Sequence, residues 1–130
     1  MTLGVIELLS FNDIINTKEK YGVSMKKLLE PYNIMGIYGI YIDKELIYIG
    51  QSKNIGERWE THKHYILKNE KKRKKYNNDY LPIYVALRKA YSEKKNIYFG
   101  ILKVVYDKNS LLYEENKYIN KFKPCYNIHY

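Results

Sequence analysis

The sequence predicts an α+β domain, with a small and mainly antiparallel sheet of three strands flanked by helices. Two observations favour this class. Two runs of β-branched and aromatic residues, 36–42 and 46–50, stand on either side of a short charged segment, which is the pattern of a β-hairpin. Stretches with helical periodicity surround a third such run at 96–106. A chain of 130 residues is long enough for one compact domain and too short for two ordinary ones.

The charge balance predicts a polyanionic partner. Lys and Arg total 23 against 14 Asp and Glu, which gives a formal net charge of +9 and a pI near 9.4. A small domain with this balance attracts nucleic acid first. A soluble protein that is merely rich in lysine is the alternative. The 16 tyrosines offer aromatic faces on which bases can stack, although most of them are expected in the core or at half-buried positions.

The cysteine content and the N-terminal segment indicate a cytoplasmic protein. Cys125 is the one cysteine, so no internal disulfide can form, which fits a reducing compartment. The apolar stretch 3–9 is interrupted by Glu7, follows no basic leader and contains no small-residue cleavage site. We therefore expect no signal peptide and no membrane-spanning segment.

Residues 1–35 are predicted to form an N-terminal helical extension, and residues 36–130 the main domain. Ser10 or Asn12 could cap a first helix. A second, short amphipathic stretch follows at 25–29. The extension contains no set of chemically reactive residues, so packing or a contact with a partner is its expected use.

The hairpin carries two tyrosines, Tyr38 and Tyr48, whose faces depend on the length of the turn. If 43–45 is a three-residue turn, the strands pair Ile42 with Leu46, Ile40 with Tyr48 and Tyr38 with Gly50. Side chains alternate along a strand, so the two tyrosines then emerge on the same face. A turn of two or four residues would place them on opposite faces.

A basic, histidine-bearing helix is predicted after the hairpin. Asn54, with Glu57 three residues later, resembles a capping box that starts this helix. Its apolar stripe consists of Ile55, Trp59, His62 and Ile66. Arg58 lies one turn before His62, and Tyr65 lies about one turn after it, so these three residues share a neighbouring stripe.

A run of cations after this helix predicts a segment that binds phosphates. This basic run consists of Lys71, Lys72, Arg73, Lys74 and Lys75. Five consecutive cations repel one another unless a polyanion lies nearby. The alternative is a solvated surface loop.

The remaining elements are two helices and the third strand. A helix at 81–91 has Pro82 in its first turn, and a last helix runs from a Ser110 cap to about Lys123. Pro124 ends that helix, after which an extended tail is expected to pack back on the sheet.

Glu115 lies in the apolar stripe of the last helix. Leu111 and Ile119 flank it at i−4 and i+4, whereas its neighbour Glu114 shares the predicted solvent side with lysines. A buried ionised carboxylate is costly unless it is paired or bound to a cation. An ion pair with a basic residue of another element is one explanation, and a metal site is the other. One carboxylate with several retained waters suits Mg²⁺ better than Zn²⁺.

Taken together, the residues resemble the GIY-YIG nuclease domain. The segments Gly36-Ile37-Tyr38 and Tyr48-Ile49-Gly50 are similar to the two motifs that name this family. Arg58 follows Tyr48 by ten residues, where the family's catalytic arginine is found, and His62 follows one turn later, where many members carry a histidine or tyrosine.

The resemblance continues to the end of the domain. Glu115, with Ile119 four residues later, is similar to the family's metal-binding glutamate. Pro124, Tyr126 and Asn127 resemble its closing segment, in which an asparagine supports the site.

What the resemblance implies is a DNA endonuclease that hydrolyses phosphodiester bonds with a divalent metal, Mg²⁺ or Mn²⁺. Tyr38 is then the expected general base, Arg58 stabilises charge on the phosphate, and Glu115 holds the metal. Tyr48 and His62 position water or phosphate, or assist proton transfer. The asparagine at 127 steadies the site from behind.

The implied DNA contacts come from Lys53 and the basic run, whose phosphate contacts would make the affinity fall steeply with salt. A monomer and a homodimer are both compatible with the sequence, because one such site cuts one strand. The alternative function is a non-catalytic nucleic-acid-binding module that keeps the fold and the basic face. The sequence does not define which DNA is recognised.

Overall fold

The computed structural model describes residues 7–12, 28–68 and 81–127. These residues form four strands and three α-helices in the order β1 Glu7–Ser10, β2 Gly36–Ile42, β3 Glu45–Ser52, α1 Ile55–Leu67, α2 Pro82–Ser92, β4 Ile97–Val104 and α3 Leu111–Phe122. Short 3₁₀ helices occur at Glu30–Tyr32 and Lys108–Ser110. The basic run and the helix predicted after Asn12 lie outside the described residues.

The sheet is antiparallel throughout the described residues, with the strand order β1-β4-β2-β3. The α+β class is confirmed, but the prediction of three strands is wrong. The fourth strand, β1, pairs with β4 and belongs to the segment that was predicted to be helical. Four residues are too few to show a period of two, and pairing at a sheet edge is decided by the neighbouring strand.

The β-hairpin has the predicted pairing at Tyr38 and Tyr48, but its turn is shorter than predicted and one strand contains a bulge. Its turn has two residues, 43–44, so Ile42 pairs with Glu45 and the prediction that it pairs with Leu46 is wrong. Ile47 then forms a β-bulge, which adds one residue to β3 and reverses the alternation of faces. The turn is one residue shorter than predicted and the bulge adds one residue, so the register beyond the bulge is unchanged.

The rest of the hairpin register is therefore the one predicted. Ile40 pairs with Tyr48, and Tyr38 pairs with Gly50. The prediction that the two tyrosines share a face is confirmed, since both side chains pack in the same hydrophobic cluster.

Helices cover both faces of the sheet. On the first face, α1 and α2 pack over Tyr38, Ile40 and Phe99. Their buried side chains include Ile55, Trp59, Ile66, Ile83, Leu87 and Ala90. On the second face, α3 packs against the alternate residues Ile37 and Ile49. The N-terminal segment also contributes to the first core, because the Phe11 ring lies edge-on to that of Phe99 at a centroid distance of 6.0 Å.

The start of α1 agrees with the capping signal in the sequence. The Asn54 side chain accepts a hydrogen bond from the Glu57 amide at 3.0 Å. Gly56 is required by a close approach, because a Cβ atom there would lie 2.9 Å from the carbonyl oxygen of Leu29. The 3₁₀ segment before the hairpin therefore packs directly on the first turn of α1.

The start of α3 differs from the prediction. Ser110 occupies the N-cap position but its side chain makes no capping hydrogen bond. Asp107 instead accepts from the Asn109 amide at 3.0 Å and starts the preceding 3₁₀ turn. The helix ends where Lys123 adopts a left-handed conformation, with φ of 46°. Among the described helices, none is both long and apolar enough to cross a membrane.

Candidate active site

A cleft opens beside β3, at the edge of the described sheet, and residues of α1, α2 and α3 line it. It is lined by Tyr38, Tyr48, Gln51, Ser52, Lys53, Arg58, His62, Leu81, Ile83, Tyr84, Leu111 and Glu115. All five residues predicted to be catalytic contribute to this lining. They come from two strands and two helices, so only the tertiary fold brings them together.

Tyr38 lies at the buried end of the cleft. Its ring rests on Gly50 of the neighbouring strand, where a Cβ atom would lie 2.5 Å from Tyr38 Cζ. Its hydroxyl is 2.7 Å from His62 Nε2, which is a hydrogen-bonding distance. The glycine of the second motif therefore provides the space that the tyrosine of the first motif fills.

His62 joins Tyr38 to a second phenol. Its Nδ1 atom lies 2.8 Å from the Tyr84 hydroxyl, so both ring nitrogens are hydrogen-bonded to tyrosines. Burial, and secondarily the nearby Arg58 guanidinium, lower the pKa of His62 to about 3. The imidazole is therefore neutral at physiological pH, with one nitrogen donating and the other accepting.

Burial also keeps the cleft tyrosines protonated. It raises the pKa of Tyr38 well above 10, the ordinary value, and the neighbouring Tyr48 phenol raises it further. The pKa of Tyr48 is raised as well, first by burial and then by the Glu115 carboxylate. Arg58 acts in the opposite direction on both phenols. A free phenolate is therefore scarce here at neutral pH.

Arg58 and Lys53 form the solvent-facing side of the cleft, and both are exposed. Arg58 has no ion pair or side-chain hydrogen bond with any other residue that the structure describes. A planar guanidinium can contact two oxygens of one phosphate, which matches the role predicted for this arginine.

Glu115 points into the cleft from α3 and is half-buried. Burial raises the pKa of its carboxyl group, while a hydrogen bond from the Gln51 side chain and the charge of Arg58 oppose that rise. The alternative explanation from the sequence, an ion pair with a lysine, applies to its neighbour instead.

That neighbour, Glu114, was predicted to face solvent, and this prediction is wrong. Its carboxylate is buried at 7% exposure, and its Oε2 atom lies 2.6 Å from Lys103 Nζ of β4. The lysine occupies the second face of the sheet, which α3 covers, and a helical wheel drawn from α3 alone could not show it.

The donor chemistry at Glu115 fits a hard divalent cation. The described residues contain no group of three or more His, Cys, Asp or Glu side chains that could hold a metal ion. A zinc site built from several nitrogen or sulfur ligands therefore has no basis in this part of the chain. A single carboxylate beside an open cleft leaves room for water and phosphate oxygens, which is how Mg²⁺ is commonly held.

Asn127 pairs with the free edge of β3 through hydrogen bonds to the backbone of Ile49. Its side-chain amide accepts a hydrogen bond from the Ile49 amide at 2.7 Å and donates one to the Ile49 carbonyl at 2.8 Å. The Tyr126 amide donates to the Ile47 carbonyl at 3.0 Å. The tail thus supplies backbone-like partners on either side of Tyr48, and the prediction that it packs back on the sheet is confirmed.

The cleft also contains polar residues that were not predicted from the sequence, among them Gln51 and Tyr84. Gln51 directly follows the second motif and lies on the same side of β3 as Ile49, towards α3. Its position two residues after Ile49, which places both side chains on the same face of β3, was the signal in the sequence that could have identified Gln51. Tyr84 has none, because its spacing on α2 is that of an ordinary core residue.

Comparison with known proteins agrees with this architecture. A family model described as the GIY-YIG catalytic domain matches residues 34–127. No curated protein matches the sequence significantly. Bacteriophage T4 EndoII has a similar fold, with a TM-score of 0.56 and 22% identity over 73% of this chain and 74% of that chain.

A second similar structure is the N-terminal endonuclease domain of UvrC from Thermotoga maritima, which was solved with its catalytic divalent cation. It has a TM-score of 0.49 and 20% identity over 80% of this chain and 93% of that chain. Because the family model covers most of the sequence and the fold agrees, the chain belongs to the GIY-YIG family of nuclease domains.

Proposed function

We propose that the protein is a divalent-metal-dependent DNA endonuclease that hydrolyses phosphodiester bonds in this cleft. The observation that carries the proposal is the convergence of Tyr38, Arg58 and Glu115, from three different elements, on one opening. A base, a guanidinium and a lone carboxylate are the groups that such a hydrolysis needs.

Tyr38 is proposed as the general base. Because burial disfavours its phenolate, it must give up its own proton as it accepts one from the attacking water. The neutral imidazole of His62, at 2.7 Å, is placed to receive that proton. The buried hydrogen bond thus supports a concerted transfer rather than a standing phenolate.

Arg58 and Glu115 are proposed to act on the phosphate. The guanidinium stabilises the charge that builds up on the phosphate oxygens. Glu115 would hold Mg²⁺ or Mn²⁺, and when bound the metal would polarise a phosphate oxygen and stabilise the departing one. The Gln51 side chain lines the same cleft and helps to stabilise the ionised form of that carboxylate.

Lys53 and the basic run are proposed to bind the DNA backbone. Lys53 is exposed at the cleft, and the net charge of +9 favours a polyanion around the site. One cleft can cut one strand, so a monomer would nick DNA and a homodimer could break both strands.

The proposal is tested by the cleavage of supercoiled plasmid with Mg²⁺. We expect nicked circles with wild type and no cleavage in EDTA. Glu115→Gln keeps the shape of the side chain but loses its charge, and should lower the rate at least about a hundredfold. Its affinity for Mn²⁺, measured in parallel by paramagnetic relaxation of water protons, should fall as well.

Glu114→Gln is the matched control, since it makes the same change one residue away, on the face of α3 that meets Lys103. It should keep both cleavage and Mn²⁺ binding, even though the ion pair with Lys103 is weakened. Equal activity of wild type and Glu115→Gln would refute the assigned site. DNA binding without cleavage of any DNA form by wild type would favour the non-catalytic alternative.

A further inference from the structure

The hydrogen bonds of Tyr38 do not stop at His62. Three side chains from β2, α1 and α2 form a continuous chain, with 2.7 Å from Tyr38 Oη to His62 Nε2 and 2.8 Å from His62 Nδ1 to Tyr84 Oη. Both contacts are buried, and both are short enough for proton transfer. The first phenol and the last one line the same cleft.

The surroundings hold this chain in place. His62 is 3% exposed and its ring lies between those of Tyr38 and Tyr84, at a centroid distance of 5.6 Å from each. The Tyr84 ring stacks on Tyr65 at 4.7 Å. An imidazole fixed in this way cannot rotate to exchange its partners, so the direction of the two hydrogen bonds is set by its tautomer.

Only one tautomer allows Tyr38 to act as a base. If Nε2 carries the proton, it donates to Tyr38, and His62 cannot accept the proton of the phenol. If Nδ1 carries the proton, Nε2 accepts from Tyr38 and Nδ1 donates to Tyr84. The second arrangement leaves the Tyr84 hydroxyl proton free to point towards the cleft.

We propose that Tyr84 is the outlet of a proton relay that runs from Tyr38 through His62 back to the cleft. This inference rests on the proposed function and extends it by one positioning residue, which acts through His62 and does not itself touch the reacting atoms. Tyr84 accepts the Nδ1 proton of His62, which leaves Nε2 free to accept from Tyr38.

The transfer balances at every atom. As Tyr38 Oη accepts a proton from the attacking water, its own O–H bond breaks and an Nε2–H bond forms on His62. The Nδ1–H bond breaks and a bond to Tyr84 Oη forms, while the original Tyr84 proton passes to water in the cleft. The imidazole stays neutral overall, which agrees with the pKa of His62 being lowered to about 3.

The test compares two tyrosines that differ in one respect. Tyr84→Phe removes the hydroxyl at the end of the relay. Tyr65→Phe makes the same change on the ring stacked against it, whose hydroxyl makes no hydrogen bond to any residue that the structure describes. In single-turnover cleavage with Mg²⁺, Tyr84→Phe should lower the rate roughly 10- to 100-fold, whereas Tyr65→Phe should stay within about twofold of wild type.

The solvent isotope effect separates a relay from a structural role. In mixtures of H₂O and D₂O, the wild-type rate should depend on the deuterium fraction with the downward curvature of several protons moving together. Tyr84→Phe should give a weaker and more nearly linear dependence, while Tyr65→Phe keeps the wild-type curve. A Tyr84→Phe enzyme with the wild-type rate and curve would overturn the relay.

The tautomer of His62 provides a second test that needs no variant. ¹⁵N NMR of the wild-type protein should show Nδ1 protonated and Nε2 acting as the acceptor. A proton on Nε2 would overturn the relay even if Tyr84→Phe failed to fold. The two proposals fail differently, because a wild type that cuts DNA and loses activity in Tyr38→Phe keeps the endonuclease even if Tyr84 proves silent. A wild type that cuts no DNA removes both.

Discussion

The two sides of the cleft differ in charge and in burial. The buried side, formed by Tyr38, His62 and Tyr84, is a chain of neutral groups that satisfy one another's hydrogen bonds. The open side carries charges, with Arg58 exposed and Glu115 half-buried. Burying a charge without a partner costs far more than burying a hydrogen-bonded neutral group. The cleft therefore keeps its ions where water or substrate can solvate them.

This contrast indicates a division of labour. Groups that move a proton benefit from fixed geometry and exclusion of water, and groups that hold a phosphate or a metal must stay accessible. Substitutions on the buried side are accordingly expected to affect the chemical step and the stability. Substitutions on the open side are expected to affect metal and DNA binding.

The largest effect is expected from Tyr38→Phe. Loss of a general base typically lowers a rate by about 10² to 10⁴-fold, and Mn²⁺ affinity should stay unchanged because Glu115 is untouched. Single-turnover cleavage and metal titration measure the two quantities.

Tyr41→Phe is the control for that variant. Tyr41 lies three residues along β2 on the opposite face, and its buried hydroxyl has no hydrogen-bond partner among the described residues. Cleavage should survive this change. Loss of metal affinity in Tyr38→Phe would break the division between the two sides.

A smaller effect is expected from Gly50→Ala, which tests the packing of the buried side. The new methyl group would overlap the Tyr38 ring, and overpacking of this kind costs about 1–3 kcal/mol of folding free energy. Urea denaturation should show that loss, and cleavage should fall because the phenol moves away from His62.

Gly39→Ala makes the same change in the same hairpin on the other face. Its methyl group would meet the flexible end of Leu46 at 2.7 Å, so it should leave cleavage intact whatever it does to stability. If Gly50→Ala cuts DNA as well as Gly39→Ala does, the position of the Tyr38 ring is unimportant for the reaction.

The smallest effect, when counted per pH unit, is expected in the pH dependence of the folding free energy. The unfolded chain protonates His62 near the ordinary pKa of 6.5, and the folded protein does so at about 3. Between these values the unfolded state binds the extra proton. Stability should therefore fall as the pH decreases from 6.5 towards 3, by up to about 1.4 kcal/mol per pH unit, with no contribution from this histidine above 6.5.

The slope can be assigned by comparing wild type with His62→Gln in urea denaturation at several pH values. Glu115 contributes to the pH dependence of stability with the opposite sign near its ordinary pKa of 4.5. Because its pKa is raised in the folded protein, its contribution to stability increases as the pH falls. The difference between the two slopes isolates the histidine. An unchanged slope in His62→Gln would mean that the imidazole is not buried neutral.

The sequence alone determined most of the main elements. Apolar alternation placed the hairpin, the capping signal placed the start of α1, and periodicity placed Trp59 and Ile66 in the core. These features are local, because each depends on residues a few positions apart. The resemblance of the motifs from Tyr38 to Glu115 to those of the family likewise predicted five side chains that line one cleft.

Tertiary structure decided everything that depends on a partner distant in the chain. The pairing of β1, the bulge at Ile47 and the contact of Lys103 with Glu114 arise from neighbouring strands and from the packing of α3. The place of Tyr84 at the end of the hydrogen-bond chain arises in the same way. Local patterns fix which face of an element is apolar, but only packing determines what that face meets.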